Sequence, residues 1–219
     1  MLIDIKTPWS THIPSDGSHI ADGAPDPTSY GVTQGPAFHP EATLFSTEGA
    51  PWAAWETYKL TPLAAIGIPP SGRFGLQLSF DLMAADANAH VYETDTIFCS
   101  ADGYNSNLSV QRNMGLNGMM QIAGPNGDWV NTGIMAPKLT LNEWHPHTFQ
   151  YALDLNNHTC VTHALVIDGQ LFMVPTELQA IAAAKKGWKP GVLFQAQTAL
   201  KSGGGRSAFM LRNIRYEVR

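Results

Sequence analysis

Residues 73–83 read RFGLQLSFDLM. Apolar side chains stand at Phe74, Leu76, Leu78, Phe80 and Leu82, and Gly75, Gln77, Ser79 and Asp81 fill the positions between. Successive side chains of a strand point to opposite faces, so this spacing makes one apolar face and one polar face. A helix would spread the same five residues around its circumference. The stretch is therefore a β-strand with one side in a core.

Strand-like runs continue from it at 91–100, 108–113, 118–123, 147–155, 159–167, 170–174, 192–199 and 207–217. Turn sequences separate them: ADG at 101–103, GLNG at 115–118, GPNGD at 124–128, DLNNH at 154–158, Asp168-Gly169, and KSGGGR at 201–206. Asp-Gly between two apolar runs is the sequence of a two-residue hairpin. Nine or more short strands at this spacing predict an all-β antiparallel sandwich or jelly roll. One short surface helix is expected near 176–186, with Thr176 as its cap, Glu177 in the first turn, Lys185 and Lys186 in the last, and Gly187 as its stop.

Upstream of Arg73 the pattern is different. Prolines at 8, 14, 25, 27, 36, 40 and 51 predict an irregular segment over 1–55 that wraps a sandwich core at 56–219, with edge strands at EATLFST (41–47) and WAAWETYKL (52–60). A chain of 219 residues is long enough for one sizeable core, so a single domain is expected over 1–219.

Charged residues make up 14% of the chain, against a usual quarter, and 13 basic residues face 18 acidic ones for a net charge of −5. That balance, with one short basic cluster at 185–189, excludes nucleic acid as a partner. No apolar run reaches the roughly 18 residues that span a bilayer, so membrane insertion is not expected. The first residues, MLIDIKTPWSTHIPSDG, have neither a basic nor an apolar leader region, so any secretion signal is removed or never existed. Cys99 and Cys160 both fall in strand-like runs, as two buried thiols or as one disulfide.

Several side chains carry candidate chemistry. In HVYETDTIFCSADGY (90–104), Glu93 and Asp95 share one strand face with Cα atoms about 7 Å apart. Such a pair does acid/base work, holds a cation, or is simply solvated. His145 and His147 share a parity, and His158 and His163 lie on the next strand, but imidazole ligation needs three or four rings at one point, so no metal ligands are assigned. Sugars are recognised by stacked aromatics and planar amides. The aromatics in question are Tyr92, Tyr104, Trp129, Trp144 and Trp188, and the amides are Gln111, Gln121, Gln195 and Gln197. Gln195 and Gln197 form a stripe on one face of their strand, opposite Phe194 and Ala196. There is no nucleophile elbow, nucleotide-binding loop or CxxC motif.

The strands NEWHPHTFQYALDL (142–155), HALVIDGQLFMV (163–174), GVLFQAQTAL (191–200) and SAFMLRNIRYEV (207–218), preceded by GDWVNTGIMAP (127–137), resemble the concanavalin A-like lectin/glucanase superfamily with its laminin-G-like jelly rolls. The resemblance spans about residues 73–218. It implies a concave and a convex sheet, with polysaccharide lying across the concave one. Glucanases of this superfamily carry a third acidic residue after Glu-x-Asp; here Ile97 and Phe98 stand at those positions, so the presumptive acid/base is missing. Jelly-roll lyases carry Gln-Ile-His and a late catalytic Tyr; here Gln121-Ile122 is followed by Ala123, and Ala199 stands where the Tyr belongs. Arg112 is the one basic candidate on a matching strand, with His145 or His147 as substitute bases.

The expectation is a carbohydrate-binding protein that engages an extended polysaccharide or oligosaccharide through Tyr92, Arg112, Gln121, Trp129, His145, Gln195 and Gln197. The alternatives are a glycan-degrading lyase or hydrolase acting through Glu93, Asp95 and His147, and a laminin-G-like protein-interaction module. The resemblance also implies structural calcium, on loops such as ADGYNSN (101–107) or SDGSHIADG (15–23), and an extracellular or periplasmic location. Oligomeric state is left open.

Overall fold

The computed structural model describes residues 1–3, 9, 27–124, 128–178, 180–182, 184–185 and 189–219. Along the first half of the chain the strands are β1 (Pro27–Gln34), β2 (Thr43–Gly49), β3 (Ala54–Thr61), β4 (Arg73–Ala84), β5 (Ala89–Cys99), β6 (Tyr104–Asn107), β7 (Val110–Asn113) and β8 (Met119–Ala123). The second half adds β9 (Trp129–Met135), β10 (His145–Asp154), β11 (Thr159–Ile167), β12 (Gln170–Met173), β13 (Ala180–Ala182), β14 (Ala184–Lys185), β15 (Gly191–Leu200) and β16 (Gly205–Val218). They form two antiparallel sheets. The first runs β1-β2-β16-β4-β10-β11-β12, with β13 also on β11. In the second, β3-β15-β5 continues through β7-β8-β9 along the start of β5, and through β6-β14 along its end. The architecture is an all-β antiparallel sandwich, as the strand spacing predicts.

The strand at 73–84 lies in the middle of the first sheet, and Phe74, Leu76, Leu78, Phe80 and Leu82 are all buried. Rings cross the gap between the sheets: Phe74 meets Phe98 at 6.0 Å and Phe80 meets Phe194 at 6.4 Å, both edge-on. The Thr96 hydroxyl answers the buried phenols, at 3.0 Å from Tyr216 Oη and 3.5 Å from Tyr151 Oη, so these interior polar atoms are hydrogen-bonded across the sheets. The Asp168-Gly169 hairpin forms as expected. Both residues have positive φ, 51° and 77°, as a type I′ turn requires, and Ile167 pairs with Gln170.

β5 is buried on both faces. Its Tyr92 and Phe98 join the main core, whereas Ile97 and Cys99 pack outward with Tyr58, Leu60 and Leu193. Cys99 and Cys160 are both free and buried, and burial pushes their thiols up to about 12 and about 11.

Three expectations need correction. The stretch near 176–186 does not form a surface helix: it holds a 3-10 turn at Thr176–Leu178 and then the short strands β13 and β14. β13 pairs with the start of β11, opposite Thr159–Val161. A ladder with a preformed edge supplies backbone partners, whereas an isolated helix of this length is marginal. The α-helix among the described residues is instead Leu63–Ile66, ended by Gly67 at φ 78°. The 1–55 segment is not irregular throughout, because β1 and β2 belong to the first sheet, and β2 is internal, between β1 and β16. β6 and β9 also form strands, in stretches outside the strand-like runs expected from the sequence.

Candidate functional site

Register places one polar side chain from each of six neighbouring strands in a single row. Glu56 on β3 lies opposite Gln197 on β15, which lies opposite Glu93 on β5. Glu93 in turn faces Gln111 on β7, then Gln121 on β8, then Asn131 on β9. The row is on the face turned away from the first sheet, because it has the parity of Ile97 and not of Tyr92. Five inter-strand spacings make it about 24 Å long. A second, shorter row beside it contains Tyr58, Gln195 and Asp95.

The amides along the row hold one another. Gln111 Nε2 donates to Gln121 Oε1 at 2.7 Å, Asn113 Nδ2 donates to the same oxygen at 3.0 Å, and Gln121 Nε2 donates to Asn131 Oδ1 at 2.7 Å. At the acidic end, Gln195 Nε2 donates to Glu56 Oε2 and to Gln197 Oε1, each at 3.1 Å, with Glu93 Oε1 as a weaker third acceptor at 3.4 Å. Glu93 is 5% exposed and Asp95 3%. Burial, and then the neighbouring Asp95 charge, raise the Glu93 carboxyl well above its ordinary range. Burial raises Asp95 as well, opposed by hydrogen bonds from Glu93, Ser109 and the Val110 backbone. The pair therefore shares a proton, with Glu93 as donor. Asp95 Oδ1 has no hydrogen-bond partner among the described residues.

The other expected site residues face the opposite way. Tyr92 and Arg112 are paired across β5 and β7, one position along from Glu93 and Gln111, and so point between the sheets. There His147 stacks on Phe80 at 5.1 Å and 9°. Its Nδ1–H donates to the His145 carbonyl at 2.8 Å, and burial pushes the ring down to about 4, so it is neutral. His145 is fixed at both nitrogens: the Thr140 N–H donates to Nε2 at 3.1 Å, which leaves Nδ1–H to donate to Asp168 Oδ2 at 2.8 Å. Arg112 Nη2 donates to the Pro137 carbonyl, while Nε and Nη1 have no partner among the described residues. Burial pulls the Arg112 guanidinium down to about 10. A cavity of about 10 Å³ lies among Phe80, Tyr92, Arg112, His147 and Phe149, room for one water.

The candidate residues thus fall into two groups. Glu93, Asp95, Gln121, Gln195 and Gln197 come together on the outward face, joined at its far edge by half-buried Trp129, which has the parity of Asn131. Tyr92, Arg112, His145 and His147 come together inside the sandwich. No single surface carries Glu93, Asp95 and His147, because His147 belongs to the first sheet's inner face. Tyr104 stacks on His158 at 3.6 Å, and Trp144 lies under the Arg212 guanidinium at 4.1 Å; neither joins the row. Trp188 and the loop at 15–23 lie outside the described residues. Among the described residues no three His, Cys, Asp or Glu side chains are grouped as metal ligands, the 101–107 loop included. Sequence reasoning missed Glu56 and Asn131. Glu56 had one visible signal, an acid inside the apolar run AWETYKL with the parity of Tyr58.

No family model matches the sequence, and no curated protein matches it. Solved structures similar to the chain include an alginate lyase of polysaccharide lyase family 7, with TM-score 0.48, 11% identity, and 96% of this chain and 94% of that chain covered. Peanut lectin in complex with a 9-mer peptide is similar at TM-score 0.48 and 12% identity, covering 92% and 95%. Bacillus licheniformis β-glucanase is similar at TM-score 0.44 and 15% identity, covering 98% and 100%.

Proposed function

We propose that the protein binds carbohydrate, as a neutral, extended polysaccharide laid across the strands of the outward face of the second sheet. The row Glu56–Gln197–Glu93–Gln111–Gln121–Asn131 carries this reading. Amides and carboxyls at successive 4.8 Å steps present donors and acceptors to hydroxyl pairs over about 24 Å, a length suited to a polymer. Asp95 Oδ1 offers a buried acceptor to a ligand hydroxyl, and Trp129 offers an aromatic surface at one end. The row contains two carboxyl side chains and no Lys or Arg, so its field disfavours uronate polymers. A polymer ligand suits a location outside the cytoplasm, and no helix among the described residues is long and apolar enough to cross a membrane.

Native gel electrophoresis through mixed-linkage β-glucan, laminarin, xylan or alginate tests this. A neutral polysaccharide is expected to retard the protein, and alginate is not. Gln111→Ala combined with Gln121→Ala removes two hydrogen-bonding groups, each worth about 0.5–1.5 kcal/mol, and should weaken retardation roughly tenfold. Mobility unchanged by every polysaccharide overturns the reading.

A further inference from the structure

We propose that Trp52 is a stacking site for a sugar carried as a side branch of the polysaccharide, a reading that rests on carbohydrate being the ligand of this face. The Ala53 N–H donates to the Ala50 carbonyl at 3.1 Å, so residues 50–53 form a turn with Pro51 at its second position and Trp52 at its third. Proline holds φ negative and Trp52 has φ 65°, which together define a type II turn, whose third position selects glycine or asparagine. The other five non-glycine residues with positive φ among the described residues are Asn117, Asn142, His158, Asp168 and Asn213, all of types that tolerate the left-handed region. Tryptophan is the strained choice. Burial does not offset that strain, because Trp52 is 47% exposed and its ring meets His90 edge-on at 4.7 Å and 90°. A chain built for stability alone would carry glycine here, and departures from local preference gather where a surface has work to do.

The ring stands at the border of the outward row. His90 precedes Glu93 by three residues on β5, about 10 Å along the strand. A β-carbon on Gly115 would lie 2.8 Å from His90 Nδ1 and 3.2 Å from Asn113 Oδ1, so the imidazole and the amide are at most about 6 Å apart, the two distances laid end to end. Asn113 Nδ2 in turn donates to Gln121 Oε1 of the row at 3.0 Å. Trp52 is therefore continuous with the row's amides through His90 and Asn113, on the side where β3 and β5 begin. A main chain laid over Glu56, Glu93 and Gln111 runs across the strands and leaves Trp52 to one side. A sugar projecting from that main chain reaches it, and the exposed indole offers an apolar face to the pyranose ring.

Native gels of the whole chain through neutral polysaccharides matched in backbone sugar and differing in branching test this: xyloglucan against mixed-linkage β-glucan, arabinoxylan against unsubstituted xylan, and guar against carob galactomannan. In the pair that retards the protein, the more branched member should do so about tenfold more strongly. Trp52→Gly should remove that excess, keep retardation by the less branched member, and leave the melting temperature no lower; Trp52→Phe should keep part of the excess. On the wild-type protein, N-bromosuccinimide should oxidise Trp52 in the free chain and spare it when the branched polymer is present, read by peptide mass spectrometry without any variant. Equal retardation by both members, oxidation of Trp52 unchanged by the branched polymer, loss of retardation by both members in Trp52→Gly, or a melting temperature lowered by that change each overturns the branch site and leaves the binding reading standing. Absence of retardation in every pair overturns the binding reading and this one with it.

Discussion

β5 and β7 separate two buried polar regions that differ by one step of sequence. Glu93 and Gln111 face outward, while their neighbours Tyr92 and Arg112 face between the sheets. Outside, like-charged carboxyls are crowded together, and the cheapest way to bury them is to keep a proton. Inside, the buried groups are bases, and the cheapest way to bury His147 is to lose one. The same desolvation thus drives the groups buried on the two sides of the second sheet, His147 of the first sheet among them, to opposite protonation. The inner region is set in aromatic packing, and the outer one in a network of amides.

That contrast predicts unequal costs of truncation. Phe80→Ala removes the ring beneath His147 and enlarges an existing cavity, which should cost about 3–5 kcal/mol in urea unfolding. Gln121→Ala on the outer row should cost only about 1–2 kcal/mol, the worth of its hydrogen bonds. Equal losses from the two would show that the outer network bears on stability as the core does.

The protonation contrast can be read in thermal melts against pH. His147 falls from 6.5 to about 4 on folding, so between those values the unfolded chain binds a proton that the native one refuses, and stability rises with pH. Across that window the gain is about 3 kcal/mol. Glu93 has the opposite sign: its carboxyl is raised from 4.5, so the native chain keeps a proton that the unfolded one releases, and stability falls as pH rises above about 4.5. Asp95, raised from 3.8 to about 7, has the same sign as Glu93, so the two carboxyls together outweigh His147 and the wild type should lose stability as pH rises through this window. Glu93→Gln should lessen the decline. His147→Asn, whose amide nitrogen can replace Nδ1 as donor, should remove the opposing rise and steepen the decline. Matching curves for both variants would show that the two regions do not titrate separately.

The strength of the alternation decided how much of this was legible. Phe74 to Leu82 announced their strand, and the Asp168-Gly169 hairpin was plain because few dipeptides accept two positive φ values. β1 was hidden because PTSYGVTQ is an edge strand with mostly exposed side chains and so has no apolar face to show; Pro27 stands at its first position, where no ladder hydrogen bond is lost. The 176–186 stretch misled because its Ala-rich helical propensity is weak beside an available strand edge on β11. For the site, parity along each strand correctly grouped Glu93 with Asp95 and Gln195 with Gln197. It could not rank strands across the sheet, which is why Glu56, two strands away from Glu93, went unnoticed. Nor could it say that His147 and Glu93 belong to different sheets, since strand order is absent from local pattern.

The smallest expected effect concerns how the inner region is held. His145 is anchored by the Thr140 N–H on one nitrogen and Asp168 on the other, and Asp168 also occupies the first left-handed position of its hairpin. If the inner region is held by directional hydrogen bonds rather than by charge, the Asp168 side chain matters as an acceptor with a tolerance for positive φ. Asparagine supplies both, since its amide oxygen can accept from Nδ1–H and it is favoured at this turn position. Asp168→Asn should then change stability by less than about 0.5 kcal/mol, whereas Asp168→Ala, which loses the acceptor and strains the turn, should cost about 1–2 kcal/mol. An Asn variant as damaged as the Ala variant would show that the carboxylate charge holds His145, and the inner region would then rest on ion pairing as the outer row rests on shared protons.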